Sequence, residues 1–190
     1  MPGKHIHFGK YGAKGIKGHE AIWRQLDRLV DYIKSPITSP RGLTARLRYL
    51  TGTKAAREAA REAGLTVTDR TIKAWQRGQR KPSPASIAQI EKAYRKVRRH
   101  NVTRDLIRRL ERGGRGTRIE IHPINQSGVD RPRVRVVGFR NLNIRRWDRM
   151  VEAWADANET EAESEWDDAA QDLGSEWGEY EYVSNIGFSA

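Results

Sequence analysis

The stretch that most constrains this chain is residues 53–83, TKAAREAAREAGLTVTDRTIKAWQRGQRKPS. Its first half predicts a short helix whose apolar stripe is only Ala56, Ala59 and Ala60, so another helix can cross it closely. Gly64 terminates that helix, because glycine enters the left-handed region without a Cβ clash. Thr68 is the expected N-cap of a second helix over roughly 69–77, with Asp69 in its first turn where a negative charge suits the helix dipole. Ile72 and Trp75 fall on one side of this helix. Arg70, Lys73, Gln76 and Arg77 lie elsewhere, mostly exposed. Gly78 ends the helix, residues 79–82 (QRKP) form a basic turn, and Ser83 caps a long helix that has Pro84 near its first position. This is the layout of a helix-turn-helix, whose second helix enters the major groove of DNA. The expected DNA contacts are Thr68, Arg70, Thr71, Lys73, Gln76, Arg77, Arg80 and Lys81. Leu65 and Thr66 lengthen the connection relative to the usual pattern, so the tilt of the second helix is the open point.

Charge supports the same partner. The chain carries 36 Lys and Arg against 24 Asp and Glu, a formal net charge of +12. Residues 1–150 hold every Lys and Arg, and residues 151–190 hold 12 acids and no base. A basic body of this strength points to a polyanion, most simply nucleic acid. The long helix after Ser83 adds Arg95, Arg98 and Arg99 to the expected DNA contacts. With Lys96, Arg104, Arg108, Arg109 and Arg112 they make a phosphate-contacting ridge. The absence of cysteine excludes disulfides, thiolate zinc sites and a cysteine nucleophile. It fits a reducing bacterial cytoplasm and a nucleoid-associated protein. No apolar run approaches the ~18 residues of a membrane span. There is no Gly-Lys-Ser/Thr phosphate loop, no HExxH and no nucleophile elbow, so neither a catalytic site nor a cofactor is expected. His5 and His7 have no further ligand near them in sequence, and the acids at 159–168 read as a solvated helix face, so no metal is expected either.

The remaining pattern divides the chain. Residues 1–18 are glycine-rich and basic and read as a flexible arm. Residues 19–34 predict an amphipathic helix through Ile22, Trp23, Leu26, Leu29, Val30 and Ile33, with Trp23 in the core. Residues 41–51 predict a supporting helix with Leu43, Leu47 and Leu50 inward and Arg41, Arg46 and Arg48 outside. Residues 113–116 (GGRG) read as a hinge. The period then changes to two over 117–122 (TRIEIH) and 133–139 (RVRVVGF), a β-hairpin with a loop at 125–130. Helix returns over 142–157 and again around Trp166, Ala169, Ala170 and Leu173, and residues 179–188 (EYEYVSNIGF) read as a last strand. The expected fold is α+β: an all-helical helix-turn-helix domain over 19–112, then a small unit over 117–190 with a β-hairpin, helices and a final strand.

The ordered pattern GLTARLRYL, TDRTIKAWQRGQRKPSP, a long basic helix, TRIEIH, RVRVVGF and EYEYVSNIGF, over roughly residues 40–188, resembles the terminal-protein family of linear Streptomyces-type replicons. The resemblance implies a telomere-binding protein joined covalently to the 5′ DNA end. In that family a threonine hydroxyl near the hairpin primes synthesis across the terminal gap, and a DNA polymerase and a telomere-associated helper protein are separate partners. The chain would be a protein primer and not an enzyme. A priming hydroxyl must be exposed to reach a polymerase site. Here the hairpin loop has no threonine; the candidates are Ser127, beside Gly128, and Thr117, after the hinge, with Thr103 behind them. The alternatives are a plasmid- or phage-type transcriptional regulator, which would act as a homo-oligomer on a palindrome, and an accessory DNA binder without sequence preference.

Overall fold

The computed structural model describes residues 15–123, 140–171 and 182–188. Two compact units emerge, Asp31–Val102 and a second made of Met1–Val30 with Thr103–Ala190.

In the unit of Asp31–Val102, hydroxyl caps set where the helices begin. Ser39 Oγ accepts from Gly42 N at 3.0 Å and starts α2, Pro40–Thr51. Thr53 Oγ1 accepts from Ala56 N at 3.0 Å and starts α3, Lys54–Glu62. Thr68 Oγ1 accepts from Thr71 N at 3.3 Å and starts α4, Asp69–Gln76. Ser83 Oγ accepts from Ser86 N at 3.1 Å at the head of α5, Pro84–Glu111. Each bond satisfies one of the amides that a helix start leaves unpaired. The core joins Leu47 and Leu50 of α2, Ala60 of α3, Leu65, Ile72 and Trp75, and Ile90, Ala93, Tyr94 and Val97 of α5. Of the alanine stripe expected from sequence, Ala60 is buried in the core and Ala59 packs partly against it, and Ala63 joins them.

One expectation fails in this core. Arg46, expected outside, is 5 % exposed. Its Nε donates to Glu91 Oε2 at 2.6 Å, its Nη1 to the carbonyls of Ser35 at 2.8 Å and Gly42 at 3.1 Å, and its Nη2 to the Ile33 carbonyl at 3.2 Å. Its guanidinium also lies 5.2 Å from the Tyr94 ring centroid. Burial is tolerated because the planar fork meets a carboxylate and three carbonyls together.

The other unit holds a four-stranded antiparallel sheet in the order β1-β4-β2-β3. Its strands are β1, Ile16–Lys17; β2, Thr117–Pro123; β3, Arg140–Ile144; and β4, Tyr182–Gly187. Its helices are α1, Gly18–Leu29; the last part of α5; α6, Asp148–Asp156; and α7, Glu159–Gln171. Ile119, Ile121, Leu142, Ile144, Val183 and Ile186 are buried with Ile22, Leu26, Leu106, Leu110 and three tryptophans, Trp147, Trp154 and Trp166. The tryptophan donors at 147 and 154 are satisfied: Trp147 Nε1 donates to Ile144 O at 2.9 Å, and Trp154 Nε1 to Asp27 Oδ1 at 3.2 Å. Gly18 is required beside Trp166, since a Cβ there would lie 2.1 Å from the indole.

The α+β class holds, but the boundaries move. Helix α1 was expected with the DNA-binding domain; it packs on β4 and α7 instead. The helix ends at Leu29, and not near Lys34, because Tyr32 and Ile33 pack against the core of Asp31–Val102 and Ile33 N donates to Tyr94 Oη at 2.9 Å. Trp23, expected in the core, is half-buried. The end of the basic arm is a strand: Ile16 pairs with Val183 and Lys17 with Tyr182. The partner of β2 is RNLNI at 140–144, where a helix was expected to begin at 142. Leu142 and Ile144 are buried while Asn141 and Asn143 are exposed, a period of two that the helical reading missed. The expected strand at 133–139 lies outside the described residues.

These boundaries re-sort the charge. Residues 31–102 contain 17 Lys and Arg against five Asp and Glu, a net +12 equal to that of the whole chain. The remaining residues balance at 19 against 19.

Candidate nucleic-acid interface

Helix α4 is held in place from both ends by backbone chemistry. After α3, Leu65 N donates to Ala60 O and Gly64 N to Arg61 O, both at 2.9 Å, with Gly64 at φ +95°. After α4, Gln79 N donates to Ala74 O at 2.9 Å and Gly78 N to Trp75 O at 3.1 Å, with Gly78 at φ +71°. Both are Schellman closures, which need the left-handed residue that glycine supplies without strain. The lengthened connection between α3 and α4 is anchored too. Leu65 is 3 % exposed, and the Gln89 side-chain amide donates to Gly64 O at 2.7 Å and to Thr66 Oγ1 at 2.9 Å. Gln89 was not anticipated. Its partners lie 23 and 25 residues away in sequence, and no local pattern marks it.

The anchored helix presents one basic face. At about 100° per residue, Arg70, Lys73 and Arg77 fall within roughly 60° of one another and opposite the buried pair Ile72 and Trp75. All three are exposed, as are Arg80 and Lys81 in the following turn; Thr71 and Gln76 are half-buried. Among the described residues none of these five cations has a carboxylate within ion-pair distance. Thr68 is exposed at the start of α4, its hydroxyl 3.0 Å from that of Thr71. Asp69, the acid nearest this face in sequence, is engaged by Arg61 at 3.9 Å.

The expected arginine ridge on α5 is a different object. Arg95 pairs with Glu91 at 3.0 Å and stacks 5.1 Å from the Tyr32 ring centroid. Arg98, half-buried, donates to Asp31 O at 3.2 Å and lies 5.9 Å from the Tyr49 centroid. Arg99 Nε donates to Tyr32 Oη at 3.4 Å. These three brace the segment after Asp31, and Arg98 also α2, against α5, so their charges are partly committed to the fold. Lower on α5, Arg108 and Arg109 both pair with Asp105. The ridge read from linear density is therefore divided: Arg95, Arg98 and Arg99 brace the fold and Arg108 and Arg109 share Asp105, while Lys96 and Arg104 are exposed.

The two candidate hydroxyls among the described residues, Thr117 and Thr103, are not fully exposed. Thr117 is 1 % exposed, and its Oγ1 donates to Leu110 O at 2.5 Å, tying the start of β2 to α5. Thr103 is half-buried on α5. Ser127 lies outside the described residues. Among the described residues no group of His, Asp and Glu is arranged to hold a metal ion, and no described helix is long and apolar enough to cross a membrane. Comparison with family models, with curated proteins and with solved structures finds no match to this chain.

Proposed function

We propose that this chain is a duplex-DNA-binding protein in which α3, the Gln89-anchored connection and α4 act as a helix-turn-helix. The observation that carries this reading is the outward face of α4: Arg70, Lys73 and Arg77, exposed and without carboxylate partners, on the unit that holds the chain's whole net charge. In a major groove, Arg70 and Lys73 reach base edges, where guanine O6 and N7 accept two hydrogen bonds from one guanidinium. Thr68 and the amides at the start of α4 face a phosphate, and Arg80 and Lys81 add phosphate contacts from the turn. Selection from a pool of randomised duplexes tests this. The reading expects enrichment of one short motif, and a pool that stays random after several rounds contradicts it.

The narrower role is that of a terminal protein, which rests on the resemblance in sequence. With Thr117 buried and Thr103 half-buried, we take Ser127 as the side chain that would accept the first nucleotide. The bond formed would join Ser127 Oγ to the α-phosphorus of a deoxynucleoside triphosphate, with pyrophosphate leaving, in the metal-assisted active site of a separate polymerase. The chain then acts as a primer, with the polymerase and a telomere-associated protein as partners. Incubation with polymerase, end-template and labelled nucleotide is expected to label the protein and to leave Ser127→Ala unlabelled. Undiminished labelling of Ser127→Ala rejects this assignment. A two-fold dimer on a palindromic selected motif, with no labelling, would instead mark a transcriptional regulator.

A further inference from the structure

The unit that contains the sheet is neutral in sum, yet its described charges are segregated. Helix α7 supplies Glu159, Glu161, Glu163, Glu165, Asp167 and Asp168. Where α5 passes into β2, beside the end of β3, the chain folds an arginine cluster that linear reading does not reveal. The turn after α5 runs RGGRG over 112–116, with Arg112 at φ +50° and Gly113, Gly114 and Gly116 at φ +64°, +89° and +76°. Four positive φ angles within five residues, one of them on arginine, turn the chain tightly into β2. A non-glycine residue held in this region is a common companion of functional turns.

The turn closes directly on the end of β3. A Cβ on Gly116 would lie 2.5 Å from Ile144 O and 2.9 Å from Arg145 Cα, so only glycine permits the approach. Asn143 Nδ2 donates to Arg115 O at 2.9 Å, and Asn143 is the cross-strand partner of Arg118. Residues 115, 118 and 145, separated by as many as 30 positions in sequence, are thereby gathered around Asn143 on the uncovered side of the strands. All three arginines are exposed, and among the described residues none has a carboxylate within ion-pair distance. Three acids stand near. Glu120, two positions along β2 from Arg118 on the same face, is engaged by His122 at 2.7 Å. Glu165 and Asp168 share a groove of about 560 Å³ with Arg145, but Glu165 is engaged by Arg149 at 3.4 Å.

We infer that Arg115, Arg118 and Arg145 form a second, sequence-independent site for the phosphodiester backbone of nucleic acid, separate from the α4 face. Guanidinium groups suit this ligand because they stay charged and meet phosphate oxygens through two parallel N–H bonds. The glycine turn removes the side chains that would hold a phosphate away from the backbone. The inference goes beyond the α4 reading: it assigns a nucleic-acid contact to the unit whose overall charge gives no sign of one. Nucleic acid held by these arginines would gain affinity without gaining specificity.

The test is the salt dependence of binding by the full chain to a mixed-sequence duplex of about 30 base pairs, for wild type and for Arg115→Ala/Arg118→Ala/Arg145→Ala. Three lost phosphate contacts lower the slope of log K against log salt by about 2.7, so between about 50 and 200 mM salt the wild type loses roughly 40-fold more affinity than the variant. Far-UV circular dichroism identical to wild type shows that the variant is folded; should it not fold, Arg145→Gln alone replaces it, with a slope change of about 0.9. An unchanged slope in a folded variant overturns the second site while leaving the α4 reading intact. Sequence preference lost in the arginine variant also overturns it, because the site would then be reading bases. Wild type that binds no duplex at any salt overturns both. Salt-sensitive self-association removed by the same substitutions, without a change in DNA affinity, would assign the patch to the acidic helix of a second copy and overturn the inference.

Discussion

Replacing Arg46 with methionine should destabilise the unit of Asp31–Val102 without touching any proposed DNA contact. The Arg46 side chain is 7 % exposed and makes four hydrogen bonds, so its loss is a core event. Removing one partner of a buried charge pair costs about 3–5 kcal/mol, much of it from the group left behind. Glu91 is 25 % exposed and keeps its second pair with Arg95 at 3.0 Å, which moves the expectation to the lower end, about 3 kcal/mol. A unit of this size has a stability of roughly 4–11 kcal/mol. The loss is a factor of about 150 in its folded-to-unfolded ratio, and a fall in melting temperature of roughly 12–24 °C. Methionine fills most of the volume, so the effect isolates the hydrogen bonds from a cavity. Arg46→Lys should lose nearly as much, because one ammonium cannot meet a carboxylate and three carbonyls arranged around a planar fork. Hydrogen exchange read by mass spectrometry separates the units: peptides within residues 40–97 should lose protection, while those from α6 and α7 keep it. Equal protection in Arg46→Met and wild type would refute the structural role of this arginine.

Three further outcomes follow from named contacts. Gln89→Glu keeps length and helix propensity but removes the two donors to Gly64 O and Thr66 Oγ1; it should cost about 1 kcal/mol of stability and about tenfold in the ratio of selected to random duplex affinity, measured by fluorescence anisotropy. Gly18→Ala places a Cβ against the Trp166 indole and should destabilise the sheet-containing unit by about 1–3 kcal/mol in urea, with duplex affinity unchanged. The hydrogen bond from Lys17, at 2.5 Å, holds the Glu163 carboxyl below its usual value of 4.5. A lowered folded-state value stabilises above the unfolded pKa and is lost as pH falls through the folded one; a Glu163→Gln variant should therefore differ from wild type at neutral pH and converge with it as pH falls through the lowered folded-state pKa in thermal melts.

What sequence revealed here was chemistry confined to a few residues. Thr68 and Ser83 cap helices because a hydroxyl and the amide three positions on are neighbours in any helix start. Gly64 and Gly78 stop helices for an equally local reason. The strand at Thr117, the helix through Trp166 and the last strand followed from periodicity. Other features depend on which distant surface claims a side chain. Arg46 and Arg48 look alike in RLRYL, and only the first meets Glu91 and three carbonyls. The apolar stripe of α1 predicted a buried face but not its partner, so the helix was assigned to the wrong unit. Leu142, Ile144, Trp147 and Val151 satisfy a helical spacing well enough to hide a strand. For the proposed interface, the α4 face was legible, whereas Gln89 and the gathering of Arg115, Arg118 and Arg145 around Asn143 were not, since each joins segments more than 20 residues apart.

The central claim is that α4 reads duplex DNA. Its most direct measurement compares wild type with Arg70→Ala/Lys73→Ala/Arg77→Ala on a duplex carrying the selected motif and on its scrambled counterpart. These side chains are exposed, so the substitutions should leave the melting temperature within the scatter of surface changes. The account predicts that the variant loses affinity for the selected duplex by at least about tenfold per lost base contact and binds both duplexes alike. A folded variant that still prefers the selected duplex as strongly as wild type would contradict it.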